Sequence, residues 1–258
     1  MEDRNICQSL EDDFTSTFIR ELIPGVLHNF ANPLNGIMGR SKLLQRRIDN
    51  TVKKINEKYP EAALALDEEL QRIVNDVRSV NKESESFFEM FRDVSGKFYA
   101  LAAKGNEPIN LSQLLAAEMR FANFYLEFKH GIKKNVHFDE EIHEVTGNAA
   151  ELSLVFWRLI RFAMSKALAS GLKVFFLETR QENDNVTVVI KYSGDVILRD
   201  HADIITKYLQ GDSRELAVVN VERGVLLALS ILKKYSAHVS VSADGNLNSI
   251  AIALPIKR

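Results

Sequence analysis

Eleven positions decide what the first half of this chain can become. Leu66, Leu70, Ile73, Val77, Val80, Ser84, Phe87, Phe91, Val94, Phe98 and Leu101 succeed one another in alternating steps of four and three, and ten of the eleven are apolar. That is a coiled-coil seam held for about five heptads, so the segment is one long helix with a single apolar edge. An earlier stretch repeats the pattern less cleanly through Ile19, Ile23, Val26, Phe30, Pro33, Ile37, Ser41, Leu44, Ile48, Val52 and Ile55. Tyr59-Pro60 separates the two, because Pro60 pushes Tyr59 out of helical geometry and can itself open the next helix. At about 1.5 Å of rise per residue each helix is roughly 60 Å long. A lone hairpin cannot bury both seams, and each large apolar side chain left in water forgoes about 1.5–3 kcal/mol. Pairing two hairpins into a four-helix bundle removes that cost, so a homodimer is expected.

The pattern changes after Lys104-Gly105-Asn106-Glu107-Pro108, where several helix breakers gather. The expected organisation is a tail over 1–13, a helical hairpin over 14–104, a linker over 105–110 and a second domain over 111–258. In that domain Leu111 to Phe128 and Leu152 to Ala169 read as amphipathic helices. Lys173 to Thr179 and Val186 to Tyr192 read as strands around a polar turn, Gln181 to Asn185. Gly224 to Tyr235 reads as a helix. It precedes a strand pair, His238 to Ala243 and Ser249 to Pro255, turned by Asp244-Gly245-Asn246. Helices on one face of a mixed or antiparallel sheet make this an α+β sandwich.

Composition excludes more than it selects. The 33 basic and 35 acidic residues nearly cancel, at a formal net charge of −2, so capture of nucleic acid or an anionic membrane by a global field is not expected. A single cysteine, Cys7, rules out an internal disulfide framework and a cysteine-built zinc site. The acidic start, Met1-Glu2-Asp3-Arg4, is unlike a signal peptide, and no apolar run reaches the ~18 residues of a membrane span. A cytoplasmic protein is expected.

The sharpest local feature is His28-Asn29-Phe30-Ala31-Asn32-Pro33-Leu34-Asn35-Gly36-Ile37. With Ile23 and Val26 as seam residues, His28 falls on the solvent side and Asn32 lies one turn further along the same face. Pro33 lacks an N–H and crowds the carbonyl of Asn29, which predicts a bend beside His28. An exposed, rigidly mounted and largely neutral imidazole is suited to receive a phosphoryl group. The plain alternative is that His28 is one surface histidine among six. The others, His130, His137, His143, His201 and His238, share no metal-ligand spacing.

This segment resembles the H-box of the histidine-kinase dimerisation and histidine-phosphotransfer domain, and the two heptad helices extend the resemblance. Ile109-Asn110-Leu111-Ser112, the Gly147-Asn148 turn and the closing Leu254-Pro255 are similar to features of the family's ATP-binding domain, the GHKL or Bergerat fold. The resemblance implies His28 as the phosphorylated residue and Asn32 at the position that orients water in phosphatase reactions. It also implies a receiver-docking face around Asn29, Asn35, Gly39 and Lys42. The departures from the family are as informative. Its two helix asparagines, one a magnesium ligand, are matched by Arg158 and Phe162, neither of which supplies an oxygen. Its Asp-x-Gly-x-Gly box reads Tyr192-Ser193-Gly194-Asp195-Val196, and its phosphate loop is reduced to Arg223-Gly224-Val225-Leu226-Leu227. The acidic residue after the histidine is replaced by Asn29, which cannot take a proton.

The resemblance with these losses implies a phosphorelay histidine phosphotransferase working through His28. Its partners would be response-regulator receiver domains that bring their own Mg2+, with no cofactor of its own and no use of ATP. Two alternatives stay open: an ATP-dependent histidine kinase with divergent boxes, and a non-catalytic pseudokinase scaffold that binds a response regulator.

Overall fold

The computed structural model describes residues 23–103, 105–195 and 223–256, with the side chains at 24–26, 28, 29 and 223 excepted. The tail, Ile19, the side chain of Val26, His201 and the segment from Val196 to the start of the last helix lie outside the described residues. The chain divides into two compact units at Phe98–Tyr99, inside a helix. Each is described in turn.

The first unit is a helical hairpin. Helix α1 spans Ile23–Lys58 and runs unbroken through Pro33. The six-residue α2, Pro60–Ala65, has Pro60 at its start and no buried residue. Helix α3 spans Asp67–Ala102, opening with Asp67, Glu68 and Glu69, where negative charge favours the helix dipole. Lys42 Nζ lies 3.1 Å from Glu85 Oε1, tying α1 to α3. Both groups are about half exposed, so the pair adds little stability and serves mainly to mark the register.

The seam of α1 is not the one expected. Its buried residues are Ile23, Leu27, Leu34 and Ser41, whereas Pro33 is exposed. Leu27, Phe30, Leu34, Ile37, Ser41, Leu44 and Ile48 now step by three and four without interruption. Leu34 thus takes the place expected for Pro33, because leucine gains more from burial than a ring that also interrupts the hydrogen-bond ladder. The seam then splits into two stripes. Leu27, Leu34 and Ser41 are buried within the chain, whereas Phe30, Ile37 and Leu44 remain about half exposed. In α3 likewise, Ile73, Val80 and Phe87 stand at 49%, 55% and 54% exposure, one heptad apart.

The second unit is an α+β sandwich. A five-stranded sheet has the order β2-β4-β5-β7-β6, formed by Lys133–Phe138, Val174–Glu182, Asn185–Ser193, Leu247–Pro255 and His238–Asp244 respectively. Only β2 and β4 run parallel; every other pair is antiparallel. Two short strands, β1 (Glu107–Ile109) and β3 (Val145–Gly147), pair with each other apart from it. One face of the sheet offers Phe175, Leu177, Val188, Ile190, Ile250 and Ile252 to a core shared with the helices. These helices are α4 (Leu111–Ala122), α5 (Leu126–Gly131), α6 (Ala149–Ala169) and α7 (Arg223–Lys234).

The sequence's single helix from Leu111 to Phe128 is in fact two, α4 and α5, broken at 123–125. Lys134 stabilises the second of them. Its Nζ donates to the carbonyl of Phe128 at 2.6 Å and of Lys129 at 3.2 Å, and to Asn123 Oδ1 at 2.9 Å. A cation at these carbonyls replaces a missing C-cap. Its burial, with the charge of Lys129 nearby, holds its own pKa below the usual lysine range.

Asn110 and Asn148 cap the starts of α4 and α6, their Oδ1 atoms accepting from Gln113 N (3.0 Å) and Glu151 N (3.1 Å). The first turn of α6 is then fastened to the end of α7. Lys234 Nζ donates to Glu151 Oε1 at 2.6 Å, and the Tyr235 hydroxyl donates to Oε2 at 2.6 Å. That hydroxyl also accepts from the Asn148 N–H at 3.0 Å. The hydrogen bonds from Lys234 and Tyr235 lower the pKa of Glu151. A lowered carboxylate pKa adds stability that is full above the ordinary glutamate range and is lost as pH falls through the depressed value. Urea midpoints measured between pH 7 and pH 3 are therefore expected to fall more steeply in the wild type than in Glu151→Gln. Tyr235→Phe, which strips the Asn148 N–H of its partner, is expected to cost about 1–2 kcal/mol at neutral pH.

Candidate functional site

In the register that α1 adopts, with Leu27 and Leu34 at a and Phe30 and Ile37 at d, His28 falls at b rather than at f. Asn32, Asn35, Gly39 and Lys42 follow at f, b, f and b. They form one stripe on the outer side of the helix, spaced by four and three like the seam itself. Asn32, Asn35, Gly39 and Lys42 are all exposed. Space is open above Gly39 and Gly36, where an added Cβ meets nothing within 4 Å. The side chains of His28 and Asn29 lie outside the described residues, while their backbone is part of α1. Lys42 is the one member of the stripe with a charged partner, Glu85. A long amphipathic helix presents this stripe because burial of its a and d residues leaves b and f for water.

In the second unit, Arg158, Phe162, Tyr192 and Gly224, the positions singled out by the sequence resemblance, come together around α6. Arg158 packs against Gly224 in the first turn of α7. A Cβ on Gly224 would meet the Arg158 Nε, with Cζ only 2.9 Å and Cδ 3.1 Å away. Glycine is retained here because an arginine side chain occupies the adjacent space. Phe162 lies edge-on to Tyr192, ring centroids 5.7 Å apart and planes at 78°. Lys166 Nζ stands 5.7 Å from the Phe162 centroid. Tyr192 is 1% exposed, and burial pushes its phenol pKa well above the usual range, so it stays neutral.

The turn after β5 is held on both sides. Ser193 Oγ accepts from Val174 N at 2.9 Å and shares a hydrogen bond with Ser170 Oγ at 2.7 Å. Asn248 Nδ2 donates to the carbonyl of Asp195 at 3.0 Å, and Gly194 N to that of Asn246 at 3.3 Å. Beside it opens a cleft of about 460 Å³ lined by Lys166, Ser170, Leu172, Asp195 and Asn246. Gly211-Asp212-Ser213 and the side chain of Arg223 lie outside the described residues. Between α4 and α6 a buried Glu118 accepts from Ser153 Oγ at 2.6 Å. No sequence pattern marked that pair, or the Glu151–Tyr235 network, because each joins residues far apart in the chain.

Among the described residues, no group of three His, Cys, Asp or Glu side chains is arranged to hold a metal ion. No described helix is long and apolar enough to cross a membrane.

No protein-family model matches the sequence, and the curated proteins hold no match to it. Solved structures similar to this chain include the catalytic domain of histidine kinase ThkA in a nucleotide-free form. That comparison is 14% identical, covers 59% of this chain and 97% of that one, and has a TM-score of 0.49. Full-length ShkA in complex with AMPPNP is 15% identical over 92% of this chain and 46% of that one, at a TM-score of 0.46. The histidine kinase AdeS of Acinetobacter baumannii is 13% identical over 79% of this chain and 98% of that one, at a TM-score of 0.45.

Proposed function

We propose that this protein is a histidine phosphotransferase that relays phosphoryl groups between response-regulator receiver domains through His28, without ATP chemistry of its own. The observation that carries this reading is the filling of the nucleotide positions in the second unit. Arg158 brings a guanidinium against the start of α7, where the family resemblance expects phosphate and metal, and a guanidinium cannot ligate Mg2+. Phe162 and the neutral Tyr192 place rings where the resemblance expects an asparagine and a carboxylate. A domain so filled supports docking rather than nucleotide hydrolysis.

In the transfer, a ring nitrogen of neutral His28 donates its lone pair to phosphorus as the aspartyl O–P bond of the donor breaks. The receiver carboxylate keeps the bonding electron pair, and the other ring nitrogen releases its proton to solvent. Return to a second receiver reverses these changes. The receiver supplies Mg2+, and this chain supplies position: a fixed helix, the open ground at Gly36 and Gly39, and the exposed amides of Asn32 and Asn35. The half-exposed stripes of α1 and α3 are covered in a homodimer, which completes the four-helix bundle.

The test is incubation of the full chain with receiver domains carrying labelled phosphate, beside calorimetry with Mg-ATP. Label moving to the chain from at least one receiver, with no Mg-ATP heat up to about 1 mM ligand, is the expected result. Micromolar binding of Mg-ATP would instead establish the kinase alternative. A stable receiver complex with no label transfer would establish the scaffold.

A further inference from the structure

The second unit carries an aromatic patch that the relay reading does not use. Phe121 meets Trp157 edge-on at 5.2 Å and Phe124 at 6.0 Å. Tyr125 lies 5.8 Å from Trp157 and stacks on Phe128 at 5.3 Å. Arg161 stands over the Tyr125 ring with its Cζ at 5.8 Å from the centroid. The rings come from the end of α4, the break after it and the middle of α6. Phe124 and Tyr125 are both above 40% exposed, Leu126 beside them is 70% exposed, and Leu154 lies one helical turn before Trp157 at 49%.

The patch also has a sign. The segments that carry its rings and ridge, 120–129 and 154–161, hold Arg120, Lys129 and Arg161 besides the Arg158 that packs on Gly224, against one acidic residue, Glu127. The whole chain is formally −2, so this concentration of positive charge is local and calls for a negative counterpart.

Three occupants fit a basic aromatic surface: nucleic acid, an anionic membrane, or an acidic protein. Ring geometry disfavours the first. The ring planes are inclined to one another by 30° to 67°, so they do not offer the succession of parallel platforms on which neighbouring bases stack. Exposure disfavours the second, since only Leu126 projects freely and the other apolar side chains are half-buried. For a protein partner the composition is favourable: Trp, Tyr and Arg grouped at one place are the residues that anchor interfaces. Leu154, Trp157 and Arg161 also fall at i, i+3 and i+7, a ridge of the kind a second helix packs against.

We propose that this patch is a docking surface for an acidic amphipathic helix of a partner protein. Apolar residues on one face of that helix cover Phe124, Leu126 and Leu154, and its flanking carboxylates pair with Arg161 and Lys129. The proposal is independent of phosphotransfer.

Trp157 is the only tryptophan in the chain, so its fluorescence reports occupancy of this place. The probe is a synthetic 16-residue peptide of Glu, Leu and Phe with apolar residues at i, i+3, i+4 and i+7, titrated into the full chain. A composition-matched scrambled peptide, a 16-nucleotide oligothymidylate and vesicles with 30% phosphatidylglycerol run in parallel. The ordered peptide is expected to shift Trp157 emission saturably, at least tenfold more tightly than the scramble, and more weakly as salt rises. Arg161→Glu and Phe124→Ser, at positions exposed enough to leave the core intact, are each expected to weaken it tenfold or more. No shift with the ordered peptide up to about 1 mM overturns the proposal, as does an equal response to the scramble or affinity indifferent to both substitutions. A response to oligothymidylate or vesicles alone overturns it in favour of nucleic acid or membrane.

Discussion

His28→Ala is expected to abolish label uptake from phosphorylated receivers, a loss on the order of a thousandfold or more, while leaving the far-UV circular dichroism unchanged. The size follows from the chemistry: alanine offers no lone pair, and no neighbouring residue of the stripe replaces it. Asn32 and Asn35 carry amides, whose nitrogen is not nucleophilic, Gly39 has no side chain, and Lys42 is engaged with Glu85. The fold is spared because alanine is the best helix former. His28→Gln keeps a polar side chain of similar reach and is expected to be equally inactive, which separates nucleophilicity from size. Persistent label on the alanine variant would mean that another residue carries the phosphoryl group.

Val80→Glu is expected to convert a dimer into a monomer, halving the mass seen by light scattering to the chain's 29.2 kDa. Val80 sits mid-stripe between Ile73 and Phe87, and all three are about half exposed in a single chain. In a paired bundle two carboxylates, one from each copy, would have to leave water together. A desolvated charge without a partner costs several kcal/mol, and each 1.4 kcal/mol is a factor of ten, so the dissociation constant is expected to rise by about a thousandfold or more. Ile37→Glu on the matching stripe of α1 should act in the same direction. If both variants keep the dimer mass, the apolar stripes are not the interface.

The legible parts of this molecule were those with a period. The α3 heptads and the alternation in β4 and β7 express local rules that operate within a few residues. The register of α1 was misread at Pro33 because only burial distinguishes it from Leu34, and burial depends on the facing helix. Strand β2 was missed because Lys-Lys-Asn-Val-His-Phe is an edge strand with little burial; its pairing with β4, not its own pattern, defines it. The break between α4 and α5 carries no glycine or proline. Lys134, a residue from β2, donates to Asn123 at the break and to the carbonyls of Phe128 and Lys129 in α5. In the candidate site, spacing put His28 and Asn32 on one face, whereas Asn35, Gly39 and Lys42 were implied by the resemblance. The packing of Arg158 on Gly224 could be read from neither, because it joins the middle of α6 to the start of a helix more than sixty residues later.

The strand order has a consequence for how the second unit comes into being. Among the described residues, β7 comes last in chain order and lies between β5 and β6, and it is the one strand with which β6 pairs. While the chain is still on the ribosome, β6 emerges with no neighbour to join, and the apolar side chains of β5 that meet β7 stay uncovered. The sheet therefore closes only when Leu247–Pro255 has cleared the exit tunnel. Folding of this unit waits on β7, and a product cut short before that strand would present two open strand edges to the cell's chaperones and proteases.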